Sequence, residues 1–215
     1  MSEAEREAER TSSETRHKLA NVFQLLTTLT RMRMQRSRDE EARRQLSWML
    51  DATSALALLH KRSHVAGSSD FSDILRDAAT LWRRRCADRP IEIELDLRPV
   101  VVPERQEAAL LLIAHELVVN AIAHGFPGEA GGVVRVSFGM ADAETVALTV
   151  GDSGCGYDLE AVDSARLGLW LIGGLAGQVQ GALTTTGAHG VQARLLFPLV
   201  VPDAPGGKAS NDSEV

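Results

Sequence analysis

The sequence predicts an α+β protein: a helical hairpin, then an α/β sandwich whose mixed sheet is covered by helices on one face. Three observations carry this expectation. Residues from about 5 to 65 contain no proline and hold only helix-compatible patterns. The pattern changes near Gly67-Ser-Ser-Asp. Beyond it, Ile91-Glu-Ile-Glu-Leu-Asp-Leu alternates with the period of a strand and is followed by further helical and strand-like segments.

At about 100° per residue, Leu19, Val22, Phe23, Leu26 and Leu29 share one face of the first helix. His17, Asn21, Gln24 and Thr28 share the opposite face, with Glu14 beside them. Ser37-Arg-Asp-Glu offers capping chemistry for a second helix, which carries a stripe of Leu46, Met49, Leu50 and Ala57 interrupted by Thr53. Two such helices cannot bury both apolar faces against each other, so the geometry predicts a homodimer completing a four-helix bundle, with His17 pointing outward.

In the second half, Gln106 to His124 reads as a helix, and Val133 to Phe138 and Thr145 to Val150 read as strands. Leu167 to Val179 reads as a helix, followed by strands near 182–186 and 192–198. The segment from Pro202 to Val215, rich in Pro, Gly, Ser and Asp, reads as a disordered tail. The expected organisation is residues 1–66 as the hairpin, 67–200 as the sandwich and 201–215 as the tail.

Composition excludes several classes. A net charge of −6 gives no electrostatic reason to expect nucleic acid. No apolar run approaches the ~20 residues of a membrane span, and the N-terminus has no signal-peptide core. Cys86 and Cys155 show no metal-ligand spacing, which suits a reduced, cytoplasmic chain.

The chemistry is concentrated in His-Glu-Leu-Val-Val-Asn-Ala-Ile-Ala-His (115–124), Asp-Ser-Gly-Cys-Gly (152–156) and Arg-Leu-Gly-Leu (166–169). Glu116, Asn120 and His124 fall four residues apart and line one helix face. An acid heading a glycine turn follows, then a glycine at a helix start. Together they supply oxygen ligands for a hard cation, backbone donors for phosphates, and an acceptor for a base's amino group. His115 sits on the apolar stripe with Leu111, Leu112 and Val118 and reads as a core histidine. His115-Glu116 is not a zinc-protease motif, because the second histidine would fall at Val119. Gly206-Gly207-Lys208-Ala209 is not a P-loop, because Pro202 and Ala209 replace required residues.

The three blocks resemble the N, G1 and G2 boxes of the ATP-binding domain shared by sensor histidine kinases, gyrase-type ATPases and Hsp90. Upstream, Glu14-Thr-Arg-His17-Lys-Leu-Ala-Asn21 resembles the E-x-x-H-R-x-x-N phosphoacceptor helix of the HWE and HisKA_2 histidine kinases. The resemblance implies a Bergerat-type α/β sandwich that binds ATP and Mg²⁺, with Asn120 as the metal ligand. It implies that Glu116 polarises a metal-bound water or assists proton removal, that His124 donates to a phosphate, and that Asp152 accepts from the adenine amino group. Gly154 and Gly156 would permit positive φ and close backbone approach, and Gly168 would place free N–H groups near the phosphates.

For His17 the resemblance implies phosphorylation from ATP and transfer to a response-regulator aspartate, with Glu14 orienting the ring or accepting its proton. Some positions depart from the family. Ala123 stands where many relatives have lysine, Ala188-His189-Gly190-Val191 replaces the usual Gly-Thr, and only eleven residues separate Gly156 from Gly168. Sixteen residues precede His17, so no sensor domain is expected on that side. The expected partners are a second copy, a receiver domain and a separate sensor protein, with no nucleic acid and no membrane. The alternatives are an ATP-independent phosphorelay transferase with a degenerate kinase fold, and a non-catalytic binding module.

Overall fold

In the computed structural model, residues 3–62, 70–128, 130–156, 167–187 and 190–199 are described, with 3–17, 44, 61–62 and 167–169 as backbone only. The expected boundary at residues 66 and 67, residues 188 and 189, the tail 201–215 and the side chains of Glu14 and His17 lie outside the described residues.

The hairpin consists of α1 (Glu3–Arg36) and α2 (Glu40–Arg62). Asp39 makes the turn between them. Its Oδ1 accepts from the Glu41 backbone N–H at 2.9 Å, satisfying a donor that the start of α2 leaves free. The packing face differs from the expected stripe. Ala20, Phe23, Thr27, Thr30 and Met34 are half-buried on α1, and the Phe23 ring lies 5.9 Å from that of His60 on α2. Leu19, Val22, Leu25, Leu26, Leu29 and Met32 stay about half exposed, as does Met49. On α2 the buried positions are Ala52 and Ala55 rather than the Leu46–Ala57 stripe. The reason is that α2 has two neighbours. One side meets α1, and small residues let the other side approach α3 and α4 closely.

The sandwich begins with α3 (Phe71–Arg85), a helix absent from the sequence expectation. Asp70 caps it by accepting from Ser72 N–H at 2.9 Å, and the same carboxylate oxygen accepts from Val100 N–H at 3.0 Å. Then follow β1 (Ile91–Leu97), α4 (Glu104–His124), β2 (Gly132–Met140), β3 (Thr145–Asp152), α5 (Leu167–Gln178), β4 (Ala182–Thr186) and β5 (Gln192–Pro198). The sheet order is β1-β2-β3-β5-β4, with β1 parallel to β2 and all other pairs antiparallel.

Alternation decides which face is covered. Val134, Val136 and Phe138 of β2 are buried, as are Val146, Leu148 and Val150 of β3, and Ala193, Leu195 and Phe197 of β5. Between them, Arg135, Ser137, Thr149 and Arg194 face outward, exposed or half-buried. The inward set meets α3, α4 and α5 in a single core. Burying a large apolar side chain such as Leu148 or Phe197 contributes about 1.5–3 kcal/mol. By length and composition α4 could cross a membrane. Its apolar surface is instead taken up by this core, where Leu110, Leu111, Ile113, Ala114 and Val118 are fully buried.

Candidate functional site

A helix apolar on nearly every side belongs in a core, so each polar residue of α4 needs a partner or an opening. His115 has a partner. The Trp82 indole of α3 donates to its Nδ1 at 3.1 Å, which leaves the ring proton on Nε2, a buried donor with no acceptor. Burial, reinforced by the Arg85 charge, pushes the imidazole down to about 4, so the ring is neutral. The expectation of a core histidine matches this geometry.

Glu116 also has a partner. It is only 3% exposed, and its Oε1 accepts from the Trp48 indole N–H of α2. Burial raises its carboxyl to about 7, against the pull of Arg85 and with a further push from Asp51. A solvated helix surface is therefore excluded for this residue. One turn on, Asn120 is half-buried, and His124 is exposed at the helix end.

The C-terminal end of α4 is tied from three directions. Gly125 N–H closes onto Ala121 O at 2.8 Å. Arg89, just before β1, donates to Ile122 O at 2.7 Å and to Phe126 O, serving carbonyls that the helix end leaves without partners. From β3, Cys155 N–H reaches Gly125 O at 2.9 Å. The turn after β3 is therefore seated on the helix end. Within it, Asp152 Oδ1 accepts from Gly154 N–H at 2.9 Å, and the Asp152 N–H donates to Val191 O at 2.9 Å.

Two glycines make this seating possible. A Cβ at Gly154 would stand 2.1 Å from Gly125 O, and one at Gly190 would stand 2.0 Å from Asp152 O. Gly190 also has φ +86°, a conformation other residues rarely adopt. Gly156 has φ +69°, as expected, but Gly154 is not among the positive-φ glycines. Its requirement is close approach alone. Asn120 and His124 lie in the last turns of α4, Asp152 heads the turn seated on the end of that helix at Gly125, and α5 carries Gly168 as its second residue.

A family described as "Histidine kinase-like ATPase domain" matches residues 86–195, more than half of the chain. This chain belongs to that family. Blue-light-activated histidine kinase 2 of Erythrobacter litoralis is 25% identical over 206 residues, covering 90% of this chain and 58% of that protein. Sensor histidine kinase PdtaS of Mycobacterium tuberculosis is 28% identical over 176 residues, covering 75% of this chain and 33% of that protein. The chain therefore spans little more than half of the first and a third of the second. Among solved structures, the histidine kinase domain of the Erythrobacter litoralis EL346 blue-light-activated kinase superposes with a TM-score of 0.67 at 20% identity. That match covers 83% of this chain and 94% of the solved one, and it shows the fold.

Around this kinase-like ATPase domain, sequence reasoning missed Trp48 and Trp82, which lie outside the matched residues, and Arg89, Gly125 and Gly190 within them. Gly190 stands within the segment read as a departure from the family, and its backbone role could have been suspected there. The others act across long sequence separations and carry no local signal. Among the described residues no group of three or more His, Cys, Asp or Glu forms a metal cage.

Proposed function

We propose that this chain is the core of a two-component histidine kinase of the HWE or HisKA_2 type, which phosphorylates His17 from ATP and passes the phosphoryl group to a receiver aspartate. The observation that supports this reading best is the turn that seats Asp152 against Gly125 at the end of α4, through contacts only glycine allows at positions 154 and 190. That cradle suits a ligand with an amino group to donate and phosphates to hold. Asp152 would accept from the adenine, and Gly154, Gly156 and the start of α5 at Gly168 would bring backbone close to the phosphates. His124, exposed at the helix end, would donate to a phosphate. The Asn120 amide oxygen is a hard donor suited to Mg²⁺, which would complete its shell with phosphate oxygens and water.

In the reaction a neutral imidazole nitrogen of His17 bonds to the γ-phosphorus, and the bond to the β–γ bridging oxygen breaks with its electron pair leaving on ADP. Glu116 takes the remaining ring proton. Glu14 orients the ring. The half-exposed ridge of Leu19, Val22, Leu25, Leu26, Leu29 and Met32 supports pairing of two hairpins into a four-helix bundle. Residues 1–66 then form the phosphoacceptor and dimerisation unit, 67–200 the ATP-binding unit, and 201–215 a tail.

Incubation with γ-labelled ATP and Mg²⁺ tests this. The expected result is acid-labile, base-stable label on the wild type and none on His17→Gln. Label surviving that substitution removes His17 from the mechanism. Label acquired only from a phosphorylated receiver hands the case to the ATP-independent phosphotransferase.

A further inference from the structure

Arg89 directs its guanidinium at backbone alone. It stands in the turn between α3 and β1, where its N–H donates to Cys86 O at 3.0 Å and its carbonyl accepts from Ile91 N–H at 2.8 Å. The half-buried side chain donates to Ile122 O and Phe126 O. Among the described residues no carboxylate pairs with it. Those two carbonyls flank Gly125, the residue on which the β3 turn rests. Gly125 O accepts from Cys155 N–H at 2.9 Å, and a Cβ placed on Gly125 would stand 3.0 Å from Asp152 Oδ1. Hydrogen bonds from a guanidinium fork fix direction as well as distance, and bonds from a charged donor are stronger than neutral ones. One side chain, from outside both the helix and the turn, thus holds both flanks of their junction.

We propose that Arg89 is a positioning residue for the nucleotide: by clamping both flanks of Gly125, it sets where Asp152 meets the adenine amino group. This rests on the reading of Asp152 as the adenine acceptor. Arg89 acts at one remove, through Ile122 O and Phe126 O to the helix end, and through Gly125 O to the turn. Asp152 Oδ1 is held by Gly154 N–H, which leaves the other carboxylate oxygen to accept from the base. A hydrogen bond weakens steeply as its angle closes, so a small displacement of that oxygen costs much of the bond. Without the clamp, α4 keeps its last helical bond, from Gly125 N–H to Ala121 O, but Ile122 O and Phe126 O lose their donor. Recognition of the amino group then suffers, while the phosphate contacts proposed for Gly156 and Gly168 do not.

The test is calorimetry on the full chain with two probes in Mg²⁺, ATP and purine riboside triphosphate, which is ATP without its amino group. The wild type should prefer ATP by about tenfold, the shift expected from one hydrogen bond to a carboxylate. Asp152→Ala should abolish that preference. Arg89→Met removes both donors, and should lose most of the preference for ATP while binding the amino-free probe nearly as well as the wild type. Arg89→Lys keeps the charge but not the fork, and should fall between. Circular dichroism establishes that each variant is folded at the temperature used. A folded Arg89→Met that keeps the wild-type preference overturns the proposal, even if it binds both probes less tightly, because Arg89 then serves stability alone. Where Arg89→Met does not fold, the lysine variant decides: a reduced preference is the expected result, and a wild-type preference overturns the proposal. Equal binding of both probes by the wild type and Asp152→Ala removes Asp152 as the acceptor, and the role of Arg89 with it. A wild type that binds neither probe rejects the nucleotide reading itself.

Discussion

The two working stretches of α4 lie little more than a turn apart and are built on opposite plans. At its C-terminal end, around Asn120 and His124, the surroundings come from the domain's own backbone: Arg89 on the last carbonyls, the β3 turn on Gly125, and Gly190 under Asp152. Around His115 and Glu116, the partners are side chains from other helices, two indoles and an ion pair, and one indole belongs to the hairpin. The first plan is rigid and independent of the hairpin, while the second depends on where α2 sits. The two roles proposed for α4, nucleotide recognition at one end and proton transfer at the other, therefore rest on separate surroundings.

The sharpest way to break the comparison is at the backbone. Gly154→Ala places a methyl group against Gly125 O and C, backbone atoms that cannot yield as a flexible side chain would, and close to Asp152 Oδ1. The expected loss is about 2–3 kcal/mol of stability from overpacking, together with loss of ATP binding. Thermal unfolding and calorimetry would check this, and wild-type values in both would mean that the turn is not held as described.

Next in size is Asp152→Ala. It removes the proposed adenine acceptor and the internal bond to Gly154 N–H, and should weaken ATP binding by about 1–3 kcal/mol. Calorimetry should find the Trp48–Glu116 end unaffected, with the Trp48 indole proton as protected as in the wild type. Exposure of that proton in Asp152→Ala would show that the two ends are coupled after all.

The smallest effect is a pH signature of the other end. Glu116 titrates near 7 when folded and near 4.5 when free, so its contribution to stability is complete below 4.5 and is lost as pH rises through 7. His115 titrates near 4 when folded and near 6.5 when free, so its contribution is complete above 6.5 and is lost as pH falls through 4. Between 4.5 and 6.5 the two slopes oppose each other; Arg85 acts on both groups and Asp51 on Glu116. Glu116→Gln should uncover the histidine slope, so that Tm climbs with pH across this window more steeply than in the wild type. A Tm profile parallel to that of the wild type would refute the assignment.

The same contrast explains what could be read in the sequence. The pattern at the C-terminal end of α4 and the turn after β3 was legible, because it is local: an acid, glycines at fixed offsets, and polar residues at helical spacing. Most of the sheet was legible for the same reason, as alternation in Ile91–Leu97 and Thr145–Asp152 is a property of neighbours. What escaped was long-range. Trp48 reaches Glu116 across 68 residues, and nothing near either one announces the other. The second helix misled for a related reason. Its larger apolar residues suggested the buried face, yet close packing against α3 and α4 selected Ala52 and Ala55. The missed α3 was readable in principle, from Asp70 as a cap and Phe71, Ile74, Leu75, Ala78 and Trp82 at helical spacing.

The parallel pairing of β1 with β2 has a consequence for how the chain assembles. β2 and β3 are joined by residues 141–144 alone and can pair as soon as both are extended. β1 and β2 must instead enclose the whole of α4 before their register, Ile91 opposite Gly132, can form. Contacts of greater sequence separation close later and more slowly. The hairpin of β2 and β3 is thus the natural starting point, and α4 arrives as the content of a large loop drawn shut over it. Arg89, at the mouth of that loop, reaches the carbonyls of Ile122 and Phe126 only once the closure is complete, so the C-terminal end of α4 is finished among the last parts of the domain.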